Sequence, residues 1–175
     1  MPLSAYGVED VTLEYKSEAA EVAAALAADP AAVGLLPQPF ATAAQVQNTA
    51  LRQAVDLTAQ WDALDNGSRL VTGVTVVRRS YLKAWPEVVD SFLADHAASV
   101  AYAQEHPTET AALIEQAGIV AKAAIAEKAL PYCSLTCLTG EEMKTALSGY
   151  LAVLHGQDPR SVGGELPGED FYYLP

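Results

Sequence analysis

The chain has 175 residues, 51% of them hydrophobic and 18% charged, a balance that builds a packed globular core and excludes a disordered polyelectrolyte. Ten Lys and Arg against 22 Asp and Glu leave a net charge of −12, which opposes binding to a phosphate backbone because few cations can displace counterions; no nucleic-acid partner is expected. No run of about 18 apolar residues occurs, so no membrane span is expected, and Met1-Pro2-Leu3-Ser4-Ala5-Tyr6 lacks the basic and apolar regions of a secretion signal.

In chain order, Val11-Thr12-Leu13-Glu14-Tyr15 alternates as a half-buried strand does. Ser17 is placed to cap a helix from Glu18 to Ala28, whose Glu18 and Glu21 complement the dipole and which Asp29-Pro30 ends. The run Ala32-Val33-Gly34-Leu35-Leu36, stopped by Pro37-Gln38-Pro39, predicts a buried strand forced into a rigid turn. Strand, helix, strand predicts a βαβ unit with a parallel pair, and the crevice beyond the strand ends of such a sheet is where small ligands sit. Gln38 and the first turn of the helix starting near Phe40 then form a binding lip; the alternative is that Pro37 and Pro39 only shape a connection.

Leu51 to Leu57 reads as a further strand, and Gln60 to Ser68 as a polar connection turned at Asn66-Gly67. Trp61 there either stacks on a ligand or anchors the connection over the core edge. Val71-Thr72-Gly73-Val74-Thr75-Val76-Val77 is the most β-branched run and predicts a central strand, with Gly73 marking a close approach or a bulge. From Pro86 the pattern turns helical: Pro86 fits a first helical position, and Val89, Leu93, Ala97 and Val100 repeat on one face. Pro107 starts a helix closed by Gly118, and Ala121 to Leu130 forms another, stopped by Pro131. Thr139-Gly140-Glu141-Glu142 fits a capping box for a last amphipathic helix, before an irregular aromatic tail. Cys133 and Cys137 lack the further thiolate or imidazole ligands that a metal site needs, so two unpaired thiols and no metal are expected.

The stretches Asp10 to Glu18, Gly34 to Thr42, Val71 to Arg78, Trp85 to Val89, Ala129 to Cys133 and Gly140 to Lys144, in this order and spacing, resemble ABC-importer solute-binding proteins of the nitrate/taurine/sulfonate and pyrimidine-precursor type. The resemblance implies an α/β, type II periplasmic-binding-protein-like fold, present in part. Residues 1–70 would belong to the second lobe, and 71–175 would be the return strand and helices that cover the first. It implies no catalytic machinery and no cofactor. A small polar or anionic solute would be captured between lobes and passed to an ABC permease, in the periplasm or outside the cytoplasm, with a lipoprotein anchor on the full-length protein.

The same resemblance carries ligand contacts onto Pro37, Gln38, Pro39 and Phe40, puts Thr72 and Gly73 on the returning segment, and sets Tyr132 and Cys133 at the cleft rim. On this reading Gln38 both donates and accepts, Thr42 adds a hydroxyl beside free helix-start N–H groups that favour negative charge, Thr72 adds another, and Trp61 or Phe40 stacks on a ring. Most of a first lobe is missing, so the apolar helix faces after Pro86 would be exposed and self-association is expected. Two rivals share the fold. A pyrimidine-precursor synthase would need a cysteine-rich metal motif and a reactive histidine and lysine in the cleft, whereas only Cys133 and Cys137 are present and His96, His106 and His155 fall on helices or their ends. The effector-sensing domain of a transcription regulator would need a helix-turn-helix upstream.

Overall fold

The structure is a computed structural model and describes residues 12–175. Val11 and the start of the N-terminal resemblance lie outside the described residues. Its elements are α1 (Ala19–Ala28), α2 (Phe40–Gln47), α3 (Leu57–Asp62), α4 (Arg79–Ala84), α5 (Pro86–Glu105), α6 (Pro107–Gln116), α7 (Ala123–Ala129) and α8 (Gly140–Gln157), with 3-10 turns at Leu130–Tyr132, Pro159–Val162 and Glu169–Phe171.

Local chemistry sets most of these boundaries. Pro86 and Pro107 stand in the first turns of α5 and α6, where a missing N–H costs nothing. Gly118 closes α6 with φ +70, a left-handed conformation that suits glycine. Asp56 caps α3, its carboxylate accepting from Thr58 N at 2.9 Å and Ala59 N at 3.2 Å. α1 starts one residue later than expected: Glu21, rather than Ser17, supplies the capping oxygen, accepting from Ser17 N at 3.0 Å and Glu18 N at 3.1 Å. Thr139 holds the N-cap position of α8 but makes no side-chain capping bond, so the capping box expected there does not form.

The core is built from small side chains. α7 packs against α6 on one side and α2 on the other, and α1 packs on α2. Ala111 of α6, Ala126 and Ala129 of α7 and Ala44 of α2 are buried where these helices meet, and alanine lets helix axes approach closely. Leu26 of α1 lies so near the segment after it that a Cβ on Gly34 would come within 2.9 Å of its Cδ1. A second cluster centres on Trp61, which is buried with its ring tilted against Tyr150 of α8, centroids 5.4 Å apart.

The α/β, type II periplasmic-binding-protein-like class is not what the structure shows. Among the described residues there is no β-strand and no sheet, so neither the βαβ unit nor its parallel pair exists there. Residues 12–16, 32–36, 51–56 and 71–77 are outside helices, as their β-branched and alternating composition directs, yet no second backbone pairs with them. A strand is defined by its ladder, and alternation supplies only the faces. The apolar faces stay open: Val33 is 96% exposed and Val76 81%. No helix among the described residues is long and apolar enough to cross a membrane.

Candidate functional site

The Pro37-Gln38-Pro39 turn delivers the chain into α2 through a cis Gln38–Pro39 peptide bond. In the first turn of α2, Ala41 N donates to Pro37 O at 3.0 Å, Thr42 N to Gln38 Oε1 at 3.3 Å, and Ala43 N to Pro39 O at 2.9 Å. Thr42 Oγ1 donates a second bond to the same Gln38 Oε1 at 2.8 Å, and Thr42 is itself buried. The N–H donors of Ala41, Thr42 and Ala43 are therefore occupied.

Because Ala44, Ala126 and Ala129 are small and buried, α7 and the 3-10 turn after it lie alongside α2, which sets Lys128, Pro131 and Tyr132 across from Gln38 and Thr42. Between them runs a groove of about 620 Å³, within the size range of small-molecule sites. Gln45 and Val46 of α2, Thr49 just beyond its end, and Gln53 also line it. Its lining thus combines amides, hydroxyls, one aromatic ring and one cation. Lys128 makes no ion pair among the described residues, so its ammonium is available to a ligand. A second groove, about 470 Å³, lies between Ser68 and α8; its cation, Arg69, is paired with Glu142 at 3.2 Å.

Of the residues singled out in the sequence, Gln38, Thr42 and Tyr132 line this one groove. Pro37 and Pro39 shape the turn behind it. Phe40, 41% exposed, begins α2 without lining the groove. Trp61 lies in the α3–α8 cluster, its Nε1 donating to Ser68 Oγ at 3.0 Å, and serves as an anchor rather than a stacking face in the groove. Thr72 and Gly73 lie in the exposed extended segment and line neither groove. Cys133 is half-buried beside Tyr132; its Sγ donates to Ala129 O at 3.3 Å, and burial pushes the thiol pKa up, which makes it a poor nucleophile. Both cysteines are free thiols, and the described residues contain no cluster of three His, Cys, Asp or Glu able to hold a metal.

Sequence reasoning missed Gln45, Thr49, Gln53 and Lys128. One of them had a signal: Gln45 follows Thr42 at three residues, a spacing that keeps side chains on one helix face. Lys128 had one only in combination, preceding Tyr132 by one helical turn.

Fold and site together define a helical protein with an open groove lined by amides, hydroxyls, one aromatic ring and one cation. The chain matches the model of the menaquinone biosynthesis family over residues 4–153 and belongs to that family. This match overturns the resemblance to ABC-importer solute-binding proteins, and with it the reading as a solute carrier that delivers to a permease. The chain is also similar in structure to a crystallised ABC transporter from Parabacteroides distasonis, solved at 1.75 Å, with 24% identity and a TM-score of 0.73. It covers 98% of its own length and 59% of that chain; at this identity the likeness extends to the fold alone. No curated protein matches the chain.

Proposed function

We propose that this chain serves menaquinone biosynthesis as the substrate-holding part of an enzyme, binding a small anionic precursor in the α2–α7 groove. The observation that carries the reading is that every groove residue, from Gln38 to Tyr132, lies inside the stretch that matches the menaquinone biosynthesis family. Menaquinone is built on an oxygenated naphthoquinone ring, so its precursors are ring compounds bearing oxygen substituents. The groove has a group for each feature. Lys128 pairs with the negative charge, the amides of Gln45 and Gln53 and the hydroxyl of Thr49 hydrogen-bond to ring oxygens, and Tyr132 offers a flat apolar face.

Deleting the gene in its host and extracting the membrane quinones tests this. Loss of menaquinone, restored by the intact gene and not by a Lys128→Ala, Tyr132→Ala double variant of normal abundance, is the expected result. An unchanged menaquinone level in the deletion strain overturns the reading.

A further inference from the structure

We propose that two copies of this chain pair antiparallel through α4 and the first half of α5, in a register set by Lys83 of each copy facing Asp95 of the other. α5 carries two apolar stripes. The inward one runs through Val89, which is buried, and Leu93 and Val100, which are half-buried. The outward one runs through Trp85, Val88 and Phe92, spaced at three and four residues as one helix face requires. Trp85 is 54% exposed and Phe92 49%, and Val88 and Tyr81 of α4 are exposed beside them. His96 prolongs the stripe, its ring stacked on Phe92 with centroids 5.7 Å apart and planes at 11°. Aromatic side chains gathered on one exposed face are the signature of an interaction surface.

Charge identifies the occupant. Arg78, Arg79 and Lys83, three of the chain's ten Lys and Arg, stand at α4, which has no acidic residue, whereas α5 holds Glu87, Asp90, Asp95 and Glu105 and no Lys or Arg. Arg79 is committed to Asp170, and Asp90 accepts from Tyr173. Lys83 and Asp95 make no ion pair among the described residues. A partner of single-signed charge would satisfy one helix and repel the other, whereas a second copy satisfies both. Parallel pairing would set Asp95 against Asp95. Antiparallel pairing with Trp85 opposite Phe92 brings Lys83, two residues before the one, alongside Asp95, three residues after the other. The two-fold axis then repeats both contacts, places Val88 near the axis, and sets Tyr81 at the Phe92–His96 stack. The stripe is short for a permanent interface, so the pairing is a monomer–dimer equilibrium with a dissociation constant on the order of 10–100 μM.

Sedimentation equilibrium of the whole chain, from well below that concentration range to well above it, tests the pairing. A dimer is expected at the upper end, and a monomer throughout overturns the proposal. Phe92→Glu, at an exposed position, should keep the circular dichroism spectrum and remove the dimer; a dimer that survives it uses another face and overturns the proposal. Lys83→Asp and Asp95→Lys each set two like-charge pairs across the axis and should each weaken association by about tenfold or more. The double variant, which exchanges the two charges, should recover the wild-type affinity. So should an equal mixture of the two single variants, because a mixed dimer has opposite charges at both crossings again. A mixture no tighter than either variant alone overturns the register.

Discussion

Replacing Trp61 and Ser68 singly and together isolates the bond that closes the α3–α8 cluster. Trp61 has 4% of its surface exposed, and its indole donates to Ser68 Oγ at 3.0 Å. Trp61→Phe keeps most of the ring packing against Tyr150 but loses the donor. Ser68→Ala removes the acceptor and leaves a buried N–H without a partner, and also removes the bond from Ser68 Oγ to Asn66 Oδ1 at 2.7 Å. Each single change should cost about 1–3 kcal/mol, the penalty for a broken or orphaned buried hydrogen bond. Trp61→Ala, which empties the ring's site, should cost about 3–5 kcal/mol. Because both single changes break the same bond, the double variant should fall short of their sum by about 1 kcal/mol. Urea midpoints at constant slope give the three values. Strict additivity would refute the hydrogen bond as the link between α3 and the Ser68 turn.

Gly34→Ala should lower the melting temperature by the equivalent of about 1 kcal/mol, since the new Cβ meets Leu26 Cδ1 at 2.9 Å and Val22 Cγ1 at 3.0 Å, both ends of side chains able to yield a little. Asp56→Ala should cost about 1 kcal/mol through the lost α3 cap, and Asp56→Ser should recover most of it in the same denaturation series. At the C-terminus, the Arg79 guanidinium beside Asp170 holds that carboxyl below its ordinary value of 3.8. The tether is therefore complete above that pH and is lost as pH falls further; amide exchange of residues 169–173 should rise on acidification, and Arg79→Gln should abolish the step. Val76→Lys, placed on an 81% exposed apolar position, should raise the concentration at which the protein aggregates, as measured by light scattering.

The helices were legible because their signals are local. Pro86 and Pro107 mark starts and Gly118 marks an end, and one stripe of apolar positions declares each face; α5, α6 and α8 follow from these within a residue or two. The sheet was not legible in the same sense. Val74 and Val76 alternate with Thr75 and Val77 as a strand would, but a strand needs a neighbouring backbone, and alternation in one segment carries no information about whether another lies alongside. The result is extended chain with exposed valines where a central strand was expected. The resemblance to solute-binding proteins rested on the order and spacing of short stretches, extended and helical alike, whereas the match over residues 4–153 is to menaquinone biosynthesis.

For the site, the diproline turn pointed to Gln38 and Thr42 because a chain stopped by two prolines must present its side chains before the next helix begins. What it could not supply was the division of labour between them. From residue types alone, Gln38 both donates and accepts and Thr42 contacts the ligand. The geometry reverses the second role and halves the first: Thr42 is buried and spends its hydroxyl and its N–H on Gln38, which leaves Gln38 only donors to offer. The positive charge that completes the arrangement enters from Lys128, far along the chain, and reaches the turn only because alanines on α2 and α7 are small enough to bring the two helices together. The lining of the groove thus depends on packing between segments whose local sequences show neither the charge nor the neighbouring helix.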